Sequence, residues 1–466
     1  MATEISRSTS AGDPRYPSLG SSDIDIDHYD VVLDFQSDHS LCGSVTISGQ
    51  TLAATDQLAF DATELVVNTV SVTVASSVTV ASGDAAQQAP FQLVDRELIV
   101  SLGEPAPAGS AFEAIIDFCD HIDSTDDFFT GAGLFPTDDG AWSVNEPDGV
   151  STWMPVSDHP TDKATWKFAI TVPHGLTAIA NGAFSGSRAT TSERSDRAAT
   201  TWTWEQDEPM APYLVTLLIG EYTLVNQGVS TSGVTLDHAV LTSDREALDP
   251  YLDVTLEQID FFEELLGPYP FDRYGLAITN SIGGLAMETQ GLSLFSVDDL
   301  DGSLGYVQHL LLAHELAHQW FGNAVSPATW DDIWLNEGMA TYGEWLWLDT
   351  VGMQTVESAA EFALRARNVG PVYEPDELFA SAVYQGGAAA LHAIRATVGD
   401  DAFFDGLRTW LSTYLDQTAT TAQFQAVMEA VSGEDLDDVF DAWVYASAQP
   451  DSYPDSYPHS NPVETG

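Results

Sequence analysis

Basic side chains are scarce in this chain: among 466 residues only 14 are Lys or Arg, against 71 Asp and Glu, and lysine occurs only at Lys163 and Lys167. A nucleic-acid binder held by phosphate contacts needs clustered cations, so the deficit excludes that class. Cysteine is nearly absent as well. Cys42 and Cys119 can build neither a disulfide framework for a chain this long nor a thiolate metal site, and they read as two free core thiols, a disulfide between them being the alternative. Long apolar runs are also missing. Nothing approaches the roughly 18 consecutive apolar residues of a membrane span, and the opening MATEISRSTSAGDPRYPSLG lacks the apolar stretch of a secretory leader. These absences predict a soluble cytoplasmic protein with neither membrane nor nucleic acid as partner.

What is present is core-forming material: 44% of the residues are hydrophobic and 10% aromatic, enough to exclude disorder as the meaning of the acidity. The net charge of -57 is spread along the whole chain, so it belongs to the entire surface. Such a surface repels itself unless screened, and the Debye length shrinks to about 3 Å at 1 M salt. The composition therefore predicts a halophilic protein. Its length allows two or three domains of ordinary size.

Composition and periodicity divide the chain. Residues 1–22, rich in Ser, Gly and Pro, predict a disordered lead-in. Over 23–226 apolar residues alternate, as in Tyr29, Val31, Leu33 and Phe35 or Trp166, Phe168, Ile170 and Val172, which predicts an N-terminal all-β domain. From 227 to 449 the spacing turns helical, with Leu256, Ile259, Phe262 and Leu266 on one face, predicting a mainly helical domain. Residues 450–466 repeat DSYP without an apolar face and predict a flexible tail.

The chemistry-bearing segment is HLLLAHELAHQWF, from His309 to Phe321. His314, Glu315 and His318 form H-E-x-x-H, and on a helix the two histidines lie one turn apart on one face, able to grip one metal ion. Glu315 sits beside that ion, where it can take a proton from water. A second helix, beginning near Trp334, presents Glu337 after 18 intervening residues. Two imidazoles and one carboxylate make the open three-ligand site of a zinc hydrolase, with one position left for water. Glu344, seven residues after Glu337, can hydrogen-bond a zinc histidine or simply face solvent.

Four segments now carry a resemblance. HELAHQWFGNAVSPATWDDIWLNEGMATYGEW resembles the signature of the aminopeptidase N type zinc aminopeptidases, gluzincins with a thermolysin-like catalytic domain. LAMETQGL at 285–292 is similar to that family's exopeptidase motif, STWMPVSDHPTDKATWKFAITVP to its N-terminal domain, and AVYQGGAAALHAIR to the segment bearing its catalytic tyrosine. The likeness runs from about residue 28 to 448. It implies an all-β domain followed by a thermolysin-like α+β catalytic domain, in a short form without the large C-terminal helical domain of longer relatives. It also implies one zinc ion and peptide substrates with a free N-terminus.

The resemblance implies roles residue by residue. His314, His318 and Glu337 hold zinc, Glu315 is the general base, and Tyr384 stabilises the oxyanion. Glu288 and Glu146 bind the substrate α-amine, and Ala286 and Met287, in the exopeptidase motif, contact the substrate. The chain departs from the family at Leu285 and Thr289, which flank the exopeptidase motif, at Val144 near Glu146, and at Gly386 near Tyr384. A thermolysin-like endopeptidase, an epoxide-acting relative and a non-catalytic scaffold are the competing readings; an endopeptidase does not need Glu288, and a scaffold tolerates loss of the metal ligands, all three of which are present here with the base.

Overall fold

The computed structural model describes residues 10–75, 87–122, 131–280, 286–366 and 370–454. The chain divides into two compact units, Met1–Leu224 and Val225–Gly466. The first is a β-rich domain and the second carries the helices. Among the described residues, no helix is long and apolar enough to cross a membrane.

The first unit is built on an eight-stranded sheet. Its strand Ile24–Phe35 pairs antiparallel with Ser40–Thr51 and parallel with Ala164–Pro173. The alternating side chains read from the sequence all turn inward: Tyr29, Val31, Leu33 and Phe35 are buried, as are Trp166, Phe168, Ile170 and Val172. Register brings the two sets together, with Tyr29 opposite Trp166 and their rings stacked at 4.0 Å. Three- and four-stranded sheets complete the unit.

Two expectations are corrected here. Cys42 and Cys119 are joined in a disulfide rather than free. They sit directly opposite each other where Ser40–Thr51 pairs antiparallel with Ala111–His121, a register that 77 residues of separation hide from the sequence. The lead-in, expected to lack structure through residue 22, is packed well before that boundary. Asp13 and Leu19 are buried, and the Gly20 amide donates to Asp61 Oδ2 at 2.9 Å. Composition misses this because a few buried anchors can order a segment with no periodicity.

Asp61 belongs to a set of three buried carboxyls. It also accepts the Asp158 amide at 2.7 Å, Asp158 accepts that of Ser151 at 2.9 Å, and Asp162 accepts that of Ile26 at 2.9 Å. Burial pushes the Asp61 and Asp162 carboxyls up to about 7 and the Asp158 carboxyl well above its ordinary value.

The second unit contains a mixed sheet in which Leu276–Thr279 lies between Thr235–Leu241 and Ser293–Ser296, parallel to both. Ala286–Met287 adds an antiparallel edge to Ser293–Ser296. Around it run α1 (Asp249–Leu266), α2 (Tyr306–Ala317), α3 (Trp334–Thr350), α4 (Val356–Ala366), α5 (Gly387–Val398), α6 (Asp400–Tyr414) and α7 (Thr421–Ser432). Ile259, Phe262 and Leu266 of α1 are buried as their spacing requires, while Leu256 is half-buried.

Helices α3 and α5 meet backbone to backbone: a Cβ built on Gly338 would lie 2.8 Å from the Gly387 Cα, and one on Gly387 equally close to the Gly338 Cα. Only glycine at both positions permits this approach. At the C-terminal end, residues 450–454 also have defined places. The Tyr453 hydroxyl donates to the Ala360 carbonyl at 3.0 Å and its ring stacks on Trp443 at 4.9 Å, so the tail boundary expected at 450 falls inside packed chain.

Candidate active site

Helix α2 ends as it delivers its two histidines. His314 lies in the last turn, and His318 caps the helix, its amide bonding back to the His314 carbonyl at 3.2 Å. The chain then turns at Gly322, whose φ of 114° is open to glycine but not to ordinary residues. Glu337 arrives in the first turn of α3, where a carboxylate suits the positive end of the helix dipole.

The three side chains converge. Glu337 Oε2 lies 3.2 Å from His314 Nε2 and 3.4 Å from His318 Nε2, and the two Nε2 atoms are 3.1 Å apart. The far nitrogens are engaged: His314 Nδ1 with Glu344 Oε1 at 2.6 Å, His318 Nδ1 with the Phe321 carbonyl at 3.1 Å. Since carboxylate and carbonyl oxygens only accept, each Nδ1 carries the proton and each Nε2 turns its lone pair inward. Three lone pairs facing one another repel unless a cation lies among them, so these residues fit a divalent metal ion.

Electrostatics agree with that fit. Burial opposes charge on all three groups, yet Glu337 is held down near about 2 by His318 and His314. His314, despite burial, is raised well above its ordinary value by Glu337 and Glu344, and His318 to about 8 by Glu288 and Glu337. The cluster calls for positive charge at its centre.

Two further carboxyls lie within its field. Glu315 is buried, its Oε2 has no hydrogen-bond partner, and burial pushes it up to about 8 against the pull of His314 and His318. Glu288 is also buried with an unpartnered Oε1, and burial raises it while His318 pulls it down. Tyr384 stacks alongside His314, ring centroids 6.1 Å apart and planes 17° from parallel.

The loop bearing Glu288 is tied to the segment that follows α2 by two residues that sequence reasoning passed over. Gln319 Nε2 and Asn323 Nδ2 both donate to the Glu288 carbonyl, at 3.1 and 2.7 Å, while Gln319 Oε1 accepts the Gly291 amide at 2.9 Å. Their one sequence signal is position, inside the segment that follows His318. Met287 is buried and Ala286 half-buried in the edge strand leading to Glu288. Thr289 turns inward, its hydroxyl donating to the Leu292 carbonyl to close the turn. Leu285 lies outside the described residues. Glu146 belongs to the first unit, two residues beyond the strand Ala141–Val144, and its role is carried by the resemblance alone.

Comparison with known proteins agrees with this geometry. The chain matches the peptidase M1 N-terminal domain over residues 26–214 and the peptidase family M1 domain over 251–443. It is 27% identical over 320 residues to aminopeptidase M1-C of Oryza sativa subsp. japonica, covering 64% of this chain and 36% of the relative. To aminopeptidase M1 of Arabidopsis thaliana it is 25% identical over 442 residues, covering 88% and 48%. The chain thus spans between about a third and a half of the length of these relatives. The crystal structure of an M1 zinc metallopeptidase from Deinococcus radiodurans matches with a TM-score of 0.81 at 26% identity, covering 96% of this chain and 100% of that one. A mutant of the Deinococcus enzyme bound to a Tyr-Ser-Ala substrate matches with a TM-score of 0.80, at the same identity and coverage. With both of its units matched in order and a metal-fitting cluster in the second, the chain belongs to the peptidase M1 family of zinc metallopeptidases.

Proposed function

We propose that this protein is a zinc aminopeptidase that removes the N-terminal residue from peptides, with one zinc ion held by His314, His318 and Glu337. Zinc in that place supplies a Lewis acid that makes water acidic and polarises a peptide carbonyl. Glu315 takes the proton of the attacking water and returns it to the departing amine; burial, which raises its affinity for protons, equips it to hold that proton between the two steps. The Tyr384 hydroxyl donates to the developing oxyanion. Glu288 pairs with the substrate α-ammonium, and Glu146 is assigned a second contact with it.

The observation that carries the exopeptidase reading is Glu288: a buried carboxylate oxygen without a partner, in the field of the metal ligands, on a loop pinned by Gln319 and Asn323. Such an oxygen is costly unless a cation comes to meet it. The test is kcat/KM for one peptide with a free and with an acetylated N-terminus. Equal cleavage of both would overturn the exopeptidase reading in favour of an endopeptidase. As to setting, the surface charge supports work at high salt, while the Cys42–Cys119 bridge favours an oxidising compartment over the reducing cytoplasm expected from composition.

A further inference from the structure

Among the described residues of the second unit lie two π-helical turns, Ala382–Gly386 and Asp441–Tyr445, and one side chain ties them together. Gln449 is buried, and its Nε2 donates to the Gly386 carbonyl at 2.8 Å and to the Trp443 carbonyl at 2.7 Å. The first of these turns carries Tyr384.

A π-turn holds an extra residue relative to an α-helix and occurs mostly as a single inserted turn, frequently at functional sites. Here the outside support is visible. The amides of Val372 and Tyr373 both donate to the Val444 carbonyl, at 3.2 and 3.1 Å, fixing that stretch against the second π-turn. Gly386 leaves the space the clamp needs: a Cβ there would come within 3.3 Å of Val372 Cγ2 and 3.5 Å of Gln449 Oε1. A longer side chain at residue 386 would compete for the place Gln449 fills.

We infer that Gln449 is a positioning residue for Tyr384, holding the turn in its π form and so keeping the tyrosine beside His314. The inference rests on the reading of Tyr384 as the oxyanion donor. Without the clamp the turn is free to relax to α-helix. Shedding one residue of offset rotates what precedes it by about 100° around the helix axis, carrying Tyr384 off His314.

The experiment is a double-mutant cycle in the full-length zinc enzyme, with kcat, KM and zinc content measured for wild type, Gln449→Met, Tyr384→Phe and the pair. Gln449→Met keeps the side chain's length and removes its donors; if it fails to fold, Gln449→Leu, which is smaller and also lacks donors, carries the same expectation. We expect Gln449→Met to lower kcat roughly 10- to 100-fold, the scale of a misplaced catalytic group, with zinc content and KM close to wild type. In the Tyr384→Phe background it should lower kcat no further. If Tyr384→Phe alone keeps the wild-type kcat, the reading of Tyr384 fails and the inference falls with it. If Tyr384→Phe is slow and Gln449→Met lowers kcat as much again in that background, Tyr384 keeps its role and Gln449 does not act through it. A Gln449→Met enzyme with wild-type kcat overturns the inference outright.

Discussion

His314 is bound through Nδ1 to Glu344 Oε1 at 2.6 Å, and that bond decides which of its nitrogens turns toward Glu337 and His318. A carboxylate in this place fixes the ring and raises its basicity. Glu344→Ala should therefore weaken zinc binding by about 10- to 100-fold, the usual range for losing such a partner. Chelator competition followed by zinc analysis measures it, and affinity equal to wild type would show that Glu344 does not support the ligand.

Glu315→Gln should keep the metal and lose turnover. Glutamine preserves the shape of the side chain but cannot take a proton, so kcat should fall by about 100-fold or more while zinc stays stoichiometric. A zinc-loaded variant working at the wild-type rate would remove Glu315 from the mechanism.

Glu288→Ala should weaken cleavage of free aminoacyl substrates by roughly 10- to 200-fold, from a charge-assisted contact worth about 1.5 to 3 kcal/mol. It should also shrink the preference for free over acetylated peptides. A preference that survives intact would place amine recognition elsewhere.

The buried carboxyls of the first unit make stability depend on pH. Asp162 sits near about 7 in the fold because of burial, against roughly 3.9 in an unfolded chain. Between those values the folded state holds a proton that the unfolded state has lost. This contribution is therefore full below about pH 4, declines as pH rises to about 7 and is gone above it. Asp162→Asn can still accept the Ile26 amide but cannot titrate, so the melting temperature of wild type relative to the variant should drop between pH 4.5 and 7.5 at fixed molar salt. A difference that does not change with pH would show that Asp162 is charged in the fold.

Salt should act on the whole molecule. With a net charge of -57, melting temperature and activity should both rise toward molar KCl as repulsion is screened. A melting temperature that is flat or falls across the series would mean that the acidic surface is not an adaptation to salt.

What could be read in advance was local or periodic. His314 and His318 follow from helix geometry, and the strand of Tyr29 and Leu33 from strict alternation. Glu337 was legible because it opens a second helix a short way on. Contacts set by register were hidden, as with Cys42 and Cys119, which meet only because two strands pair as they do. Gln319 and Gln449 were hidden for another reason: an amide gives no sign in sequence of which carbonyl it will find. His309, earlier on α2 than His314, accepts the Trp347 indole N–H at 3.2 Å.

The meeting of Gly338 and Gly387 has a consequence of its own. Glu337 immediately precedes one of these glycines and Tyr384 lies three residues before the other, so the gap between the two side chains is gauged by the thickness of two bare backbones. No side chain at that crossing can flex, repack or be trimmed to take up an error. A methyl group at either position would act as a shim between the two helices, moving Glu337 and Tyr384 apart. The separation of Glu337 from Tyr384 is thus set by backbone thickness and not by side-chain packing.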